Sequence, residues 1–175
     1  VNRKPKMIIR FRLYDDGLGF RYEFPQQENF SYFVIKDEKT QFSMAGDYKA
    51  FWVTGDYDTQ EYSYIESKLS EIPSKFHQMH ESNASVTLTE VPSVQTSIQM
   101  MTKDSIYVNI HEAGALNYPT MNLAIKHNTF TSLLTPDPEG WKAYMPVPCN
   151  TPWRTVMVVD NACKVLASRL ILNLN

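Results

Sequence analysis

A glutamate interrupts an apolar strand pattern near the middle of the chain. Within residues 105–118 (SIYVNIHEAGALNY), Ile106, Val108 and Ile110 fall on one face of a strand, and Glu112 is the next residue on that face. A carboxylate in a core-facing position is costly unless it is paired, hydrogen-bonded or bound to a cation. Two interpretations follow. Either the strand ends here and Glu112 bends into solvent at the sheet rim, or Glu112 belongs to a metal or ligand site at the mouth of the sheet.

Two other groups of potential metal ligands fit their motifs poorly. His77 and His80 would share a helix face, but no third ligand stands nearby in the sequence, which favours solvated histidines over a zinc site. The acids Asp56, Asp58 and Glu61 lack the spacing of an EF-hand loop, which favours an acidic surface loop. The sequence also contains no Gly-x-Ser-x-Gly elbow, phosphate loop, dinucleotide fingerprint or paired-cysteine metal motif.

The composition is that of a globular, β-rich chain. The 175 residues suit about one domain, and 17 basic against 19 acidic groups give no electrostatic reason to expect a nucleic-acid partner. Aromatic residues make up 13%, which suits both β-structure and sugar binding. No apolar run is long enough for a membrane span, and the first residues lack the apolar stretch of a signal peptide. Cys149 and Cys163 allow at most one internal disulfide.

Short strands separated by turns must position Glu112. Apolar and polar side chains alternate in residues 7–14 and 18–24, and Asp15-Asp16-Gly17 between them suits a tight turn, so the two segments predict a hairpin. Pro73 predicts that any helix in residues 66–80 is short and ends before this proline. Further strands are predicted at residues 32–35, 84–90, 121–125, 155–159 and 170–174, and residues 94–101 are predicted as a strand or a broad loop. The strand at 121–125 is expected to pair with the Glu112 strand. The strand at 155–159 is expected to be central and buried on both faces. About eight to ten strands with little helix predict an all-β fold, a β-sandwich.

Four segments, in order, resemble the N-terminal domain of glycoside hydrolase family 97. They are FRLYDDGLGFRYEFP, GDYDTQEYSY with LSEI after it, VNIHEAGALNY, and TPWRTVMVVDNACKVLASRLILNLN. The family contains α-glucosidases and α-galactosidases of polysaccharide-degrading bacteria. The resemblance implies that residues 1–175 are part of a galactose-mutarotase-like β-supersandwich, incomplete here, which in the larger enzyme precedes a catalytic (β/α)8 barrel that this chain lacks.

The resemblance also implies a role for Glu112. In calcium-dependent, inverting members, the glutamate of the HEA motif reaches the calcium ion in the barrel's active site, and Glu112 occupies that position. It further implies no catalytic residue in this chain, the chain's own barrel as partner, an α-linked oligosaccharide as substrate, and a periplasmic or secreted location. We expect the isolated chain to be inactive and to bind Ca2+ weakly or not at all, because one carboxylate does not hold calcium. The choices between α-glucoside and α-galactoside, and between inversion and retention, stay open.

Three neighbours of these motifs are interpreted as structural. His111 is expected to be a packing or hydrogen-bonding neighbour on the opposite strand face from Glu112. Trp153 and Arg154 are expected to fix the bend that precedes the last two predicted strands, and contact with the barrel is the alternative role.

Two further functions are considered. A free-standing carbohydrate-binding module would use exposed rings near Trp52 or Tyr57 to stack on glycans. A mutarotase-like epimerase would need a histidine and a glutamate in one cleft, and the adjacent His111 and Glu112 cannot serve because neighbours on a strand point to opposite faces.

Overall fold

The computed structural model describes residues 4–82 and 87–175. Within these ranges the chain forms fourteen strands, a 3₁₀ helix and three α-helices. These are β1 (Ile8–Tyr14), β2 (Gly17–Phe24), β3 (Tyr32–Ile35), β4 (Gln41–Ser43), β5 (Lys49–Trp52), β6 (Ile65–Lys68), the 3₁₀ helix (Leu69–Glu71), α1 (Ile72–Ser82), β7 (Ser93–Gln95), β8 (Ile98–Met101), β9 (Tyr107–Ala113), β10 (Met121–Lys126), β11 (Thr129–Leu134), β12 (Ala143–Pro146), β13 (Cys149–Asn150), β14 (Trp153–Val159), α2 (Ala162–Ala167) and α3 (Leu170–Leu174).

The strands form two main sheets and a ribbon. The large sheet has the order β1-β2-β14-β9-β8-β5-β6, with β13 added beside β2. The small sheet has the order β4-β11-β10-β7, and β12 pairs with β3 in a two-stranded ribbon. Each pairing is antiparallel. The predicted all-β, sandwich-like fold is confirmed.

The main core lies between the two sheets. Trp52, Ile98 and Ile110 project from the large sheet and belong to one buried cluster with Leu123 and Phe130 of the small sheet. Alternate residues of these central strands therefore face inward, as expected for stacked antiparallel sheets. The inward row of β9 contains Ile110 and continues to Glu112.

A second apolar cluster covers the outer face of the large sheet. Leu170 and Leu174 of α3 pack with Trp153 and Met157 of β14. The predicted strand at 170–174 is therefore wrong. In a helix, positions i and i+4 share a face, so both terminal leucines are buried while Leu172 is 70% exposed.

The β1–β2 hairpin is confirmed, with Tyr14 paired to Gly17 across the turn. The expectation that Pro73 limits the helix to the residues before it is wrong. Helix α1 begins at Ile72 and runs on to Ser82, so Pro73 occupies its first turn, where the missing N–H has no helical partner in any case.

Three other predicted strands differ from the structure. Strand β10 does not neighbour β9, because it pairs with β11 and β7 in the small sheet. Of the strand predicted at residues 84–90, residues 84–86 lie outside the described ranges, and Leu88 forms only an isolated bridge to Asp56. Strand β14 is central, between β2 and β9, but Val158 is 47% exposed, so this strand is not buried on both faces throughout. None of the described helices is long and apolar enough to cross a membrane.

Candidate functional site

Glu112 projects from β9 into the space between the sheets. Its residue is 8% exposed, so the interpretation that it bends into solvent at the rim is wrong. Its Oε1 accepts a hydrogen bond from the backbone N–H of Met121, at 3.1 Å, at the start of β10 in the opposite sheet. The carboxylate therefore links the two sheets.

Arg154 is the charge partner of Glu112. The two residues lie directly opposite each other on β14 and β9, and Arg154 Nη1 donates to Glu112 Oε2 at 2.6 Å. The Arg154 side chain is fully buried. The guanidinium also donates through Nε and Nη2 to the two oxygens of Glu38, at 2.9 and 2.7 Å. This two-point contact is the strong, planar geometry of an arginine–carboxylate pair. We call Glu38, Glu112 and Arg154 the buried charge cluster.

Glu38 lies in the loop between β3 and β4 and was missed by the sequence analysis. Besides the two contacts from Arg154, it accepts hydrogen bonds from the hydroxyls of Thr40, at 2.7 Å, and Tyr118, at 2.9 Å. Ser132 Oγ lies 3.3 Å from Glu38 Oε1. The sequence around Glu38 is polar and has no apolar periodicity. No pattern in it therefore distinguishes a buried acid from one on a surface loop.

The pKa values of the two carboxylates in the buried charge cluster are shifted in opposite directions. Burial acts against the charged form of Glu38, but hydrogen bonds and charge from Arg154 outweigh it, so the pKa of Glu38 is lowered. Burial raises the pKa of Glu112, because Arg154 and the Met121 N–H do not fully offset the loss of solvent. Glu112 is thus the carboxylate whose negative charge is less well compensated.

The chemistry of Glu112 fits a calcium ligand. A carboxylate offers about four acceptor positions, and the Met121 N–H and Arg154 each use one of those on Glu112. Calcium prefers such hard oxygen donors but takes about six to eight of them. Among the described residues, no group of three or more His, Cys, Asp or Glu side chains could hold a metal ion. Glu112 can therefore contribute to a calcium site but cannot form one with its described neighbours.

His111 and Trp153, two of the other predicted site residues, lie on the opposite face of the large sheet from Glu112. His111 is half-buried, burial lowers its pKa, and its buried Nδ1 has no hydrogen-bond partner among the described residues. Trp153 is buried, and the guanidinium groups of Arg12 and Arg21 lie 5.0 and 4.5 Å from the centre of its ring. Arg154 faces inward instead. Of these predicted residues, the structure brings only Arg154 into contact with Glu112.

Trp52 and Tyr57, the aromatic residues considered for stacking on glycans, are engaged in contacts within the domain. Trp52 is fully buried, and its Nε1 donates to Ser67 Oγ at 3.0 Å. Tyr57 donates its hydroxyl to Glu90, and Lys142 Nζ lies 5.9 Å from its ring centre. Stacking on Trp52 is therefore excluded in this fold.

Among the described residues, the remaining candidate ligands form no group that could hold a metal ion. His77 is exposed on α1, and the side chain of His80 lies outside the part of the molecule that the structure describes. Asp56 is buried and accepts hydrogen bonds from the backbone N–H groups of Asp58 and Thr59, so it caps its own turn. Cys149 and Cys163 are free thiols.

Comparison with known proteins gives concordant matches. The family model described as "Glycosyl-hydrolase 97 N-terminal" matches residues 1–175. A glycoside hydrolase family 97 enzyme from Pseudoalteromonas sp. strain K8, solved in complex with acarbose, matches with a TM-score of 0.79 and 28% identity over 97% of this chain. A variant of that enzyme in complex with panose matches with a TM-score of 0.76 and 28% identity over the same 97% share.

A further similarity is of fold alone. A beta-arabinopyranosidase matches over 89% of this chain and 25% of its own, with 19% identity and a TM-score of 0.66. The chain spans only 23% of the Pseudoalteromonas enzyme, both in the acarbose complex and in the panose complex.

Proposed function

The chain belongs to glycoside hydrolase family 97, as the N-terminal domain of such an enzyme, and we propose that it supplies Glu112 as one ligand of a calcium ion at that enzyme's active site. One observation carries this proposal. Glu112 is a buried, incompletely compensated carboxylate with acceptor positions that no described residue uses, on a strand paired on both sides, with β14 and β8. A bound cation offsets such a charge, as protonation of the carboxylate would.

The domain's own residues hold the ligand in place. Arg154 and the Met121 N–H each bind one oxygen of Glu112, which restricts rotation of the carboxylate. A ligand held by such neighbours loses little entropy when it binds a metal. When bound, calcium would polarise and orient the sugar. We propose that the other oxygen ligands come from a catalytic (β/α)8 barrel packed against this domain.

The substrate and location are part of the same proposal. Acarbose and panose are the ligands named for the similar Pseudoalteromonas enzyme. By analogy we propose an α-linked oligosaccharide as the substrate of the complete enzyme, with a periplasmic or secreted location. The isolated domain is expected to hydrolyse nothing, since the catalytic acids would belong to the barrel.

Calcium titration of the complete, chelator-stripped enzyme tests the role of Glu112. Glu112→Gln should weaken calcium binding at least about tenfold, as measured by calorimetry and by the calcium-dependent rise in melting temperature. Glu66→Gln is the matched control, because Glu66 is an exposed carboxylate on β6 paired with Lys49. Equal calcium affinity in the Glu112→Gln variant and the wild-type enzyme would refute the proposal.

A further inference from the structure

Glu38 and Glu112 share one guanidinium although they come from different parts of the fold. Arg154 gives two of its donor groups to Glu38 and one to Glu112. Glu38 is fixed independently by the hydroxyls of Thr40 and Tyr118, and it is 7% exposed. The loop carrying Glu38 therefore determines how the guanidinium is oriented towards β9.

The charges of the cluster do not balance. With both carboxylates ionised, the guanidinium balances only one of the two negative charges in this buried site. Because Glu38 takes the two-point contact, the excess negative charge lies mainly on Glu112. In a site of low effective dielectric constant, such an excess charge attracts a further cation more strongly than it would in water.

Without Glu38, the same guanidinium would act against calcium. Arg154 would be free to make a two-point contact with Glu112, and its permanent positive charge would then neutralise the Glu112 carboxylate. A calcium ion approaching Glu112 would meet a neutral pair in place of a negative cluster. Glu38 therefore acts at a distance, through the position and charge of Arg154.

From this geometry we infer that Glu38 is a positioning residue for the calcium ligand: it anchors Arg154 and keeps Glu112 negatively charged towards the metal. This inference rests on the proposed function of Glu112. Glu38 would touch neither the metal nor the substrate, and the loop between β3 and β4 would influence calcium binding only through Arg154.

The test is the calcium affinity of Glu38→Gln in the complete, chelator-stripped enzyme, measured by calorimetry. The variant removes one negative charge from the buried charge cluster and should weaken calcium binding about tenfold or more. A purely structural role would lower the melting temperature and leave the calcium dissociation constant unchanged. Glu23→Gln is the matched control, because Glu23 is also a glutamate paired with arginines, Arg10 and Arg21, but faces away from the cluster on β2. Its calcium affinity should equal that of the wild type.

A milder variant decides the question if Glu38→Gln does not fold. Tyr118→Phe keeps the ring and removes the hydroxyl that donates to Glu38. It should weaken calcium binding in the same direction but by less, about two- to threefold. Unchanged affinity in the folded Glu38→Gln enzyme, or in Tyr118→Phe if only that variant folds, would overturn the inference. If Glu112→Gln weakens calcium binding in the same experiment, the proposed function survives that failure; if Glu112→Gln has no effect, the proposed function itself fails.

Discussion

Arg154 Nη1 lies 2.6 Å from Glu112 Oε2, across directly paired positions of two adjacent strands. Such cross-strand neighbours interact whenever their side chains point to the same face. Here that face is the interior of the sandwich. The strand pattern indicates that Glu112 needs a partner, and the structure provides a cation on the neighbouring strand. The interaction stabilises the carboxylate, and among the described residues it leaves acceptor positions on that carboxylate without a partner.

Removal of the guanidinium should destabilise the domain severely. Arg154→Met leaves two carboxylates buried without a cation, and breaking such a buried pair costs about 3–5 kcal/mol of unfolding free energy. Urea unfolding of the chain, followed by circular dichroism, measures the loss. Lys126→Met, at the exposed end of β10, is the control and should change the unfolding free energy by less than about 0.5 kcal/mol. A loss below about 1 kcal/mol for Arg154→Met would contradict the expected cost of leaving these buried carboxylates without a cation.

The two carboxylates should contribute unequally to stability. Glu38→Gln loses the two-point contact with Arg154, whereas Glu112→Gln loses one contact and also relieves an uncompensated charge. We therefore expect Glu38→Gln to lower the unfolding free energy by about 1–3 kcal/mol more than Glu112→Gln does. Parallel urea titrations at neutral pH compare the two variants. The reverse order would contradict the assignment of the guanidinium mainly to Glu38.

Glu23 should make stability fall in acid. The hydrogen bond from Arg10, together with the one from Arg21, lowers the pKa of Glu23 to about 2. A lowered pKa in the folded state stabilises the fold above the unfolded-state pKa of about 4.3, and this stabilisation is lost as the pH falls towards about 2. The unfolding free energy of Glu23→Gln should therefore depend less on pH between these values than that of the wild type. Identical pH profiles would show that the pairing has no energetic consequence.

The C-terminal leucines distinguish a helix from a strand. Leu174 is buried against the outer face of the large sheet, whereas Leu172 is 70% exposed. Leu174→Ala should cost about 2–5 kcal/mol of unfolding free energy, and Leu172→Ala less than about 0.5 kcal/mol. Thermal or urea unfolding of both variants provides the comparison. Equal losses would fit a half-buried strand, in which both residues share a face.

Local sequence patterns predicted a large part of the fold. The alternation of apolar and polar side chains on both sides of Asp15-Asp16-Gly17 predicts the β1–β2 hairpin. Ile110 and Glu112 are two positions apart and therefore share a strand face, which places the glutamate on the inner face. These features depend on the side-chain period of two and on turn residues, which are properties of a few consecutive residues. The motifs that resemble family 97 likewise identified the family correctly.

The prediction from local sequence was wrong where tertiary packing decided the conformation of a short segment. The alternating leucines from Leu170 to Leu174 fit a strand, yet a five-residue helix buries the first and last of them against Trp153. A five-residue apolar pattern is too short to separate the two periods. The tertiary surface available to the segment decided its conformation.

The sequence by itself determined that a carboxylate at position 112 faces the core and needs compensation. Only the tertiary structure decided what compensates it. Arg154 and Glu38 are 116 positions apart, and Glu38 lies in a loop without periodicity. A buried charge is stabilised by whichever partners the packing of distant strands brings within hydrogen-bonding distance, and that packing is set by the whole core. For this reason the glutamate was predictable from its strand, while the cluster that holds it was not.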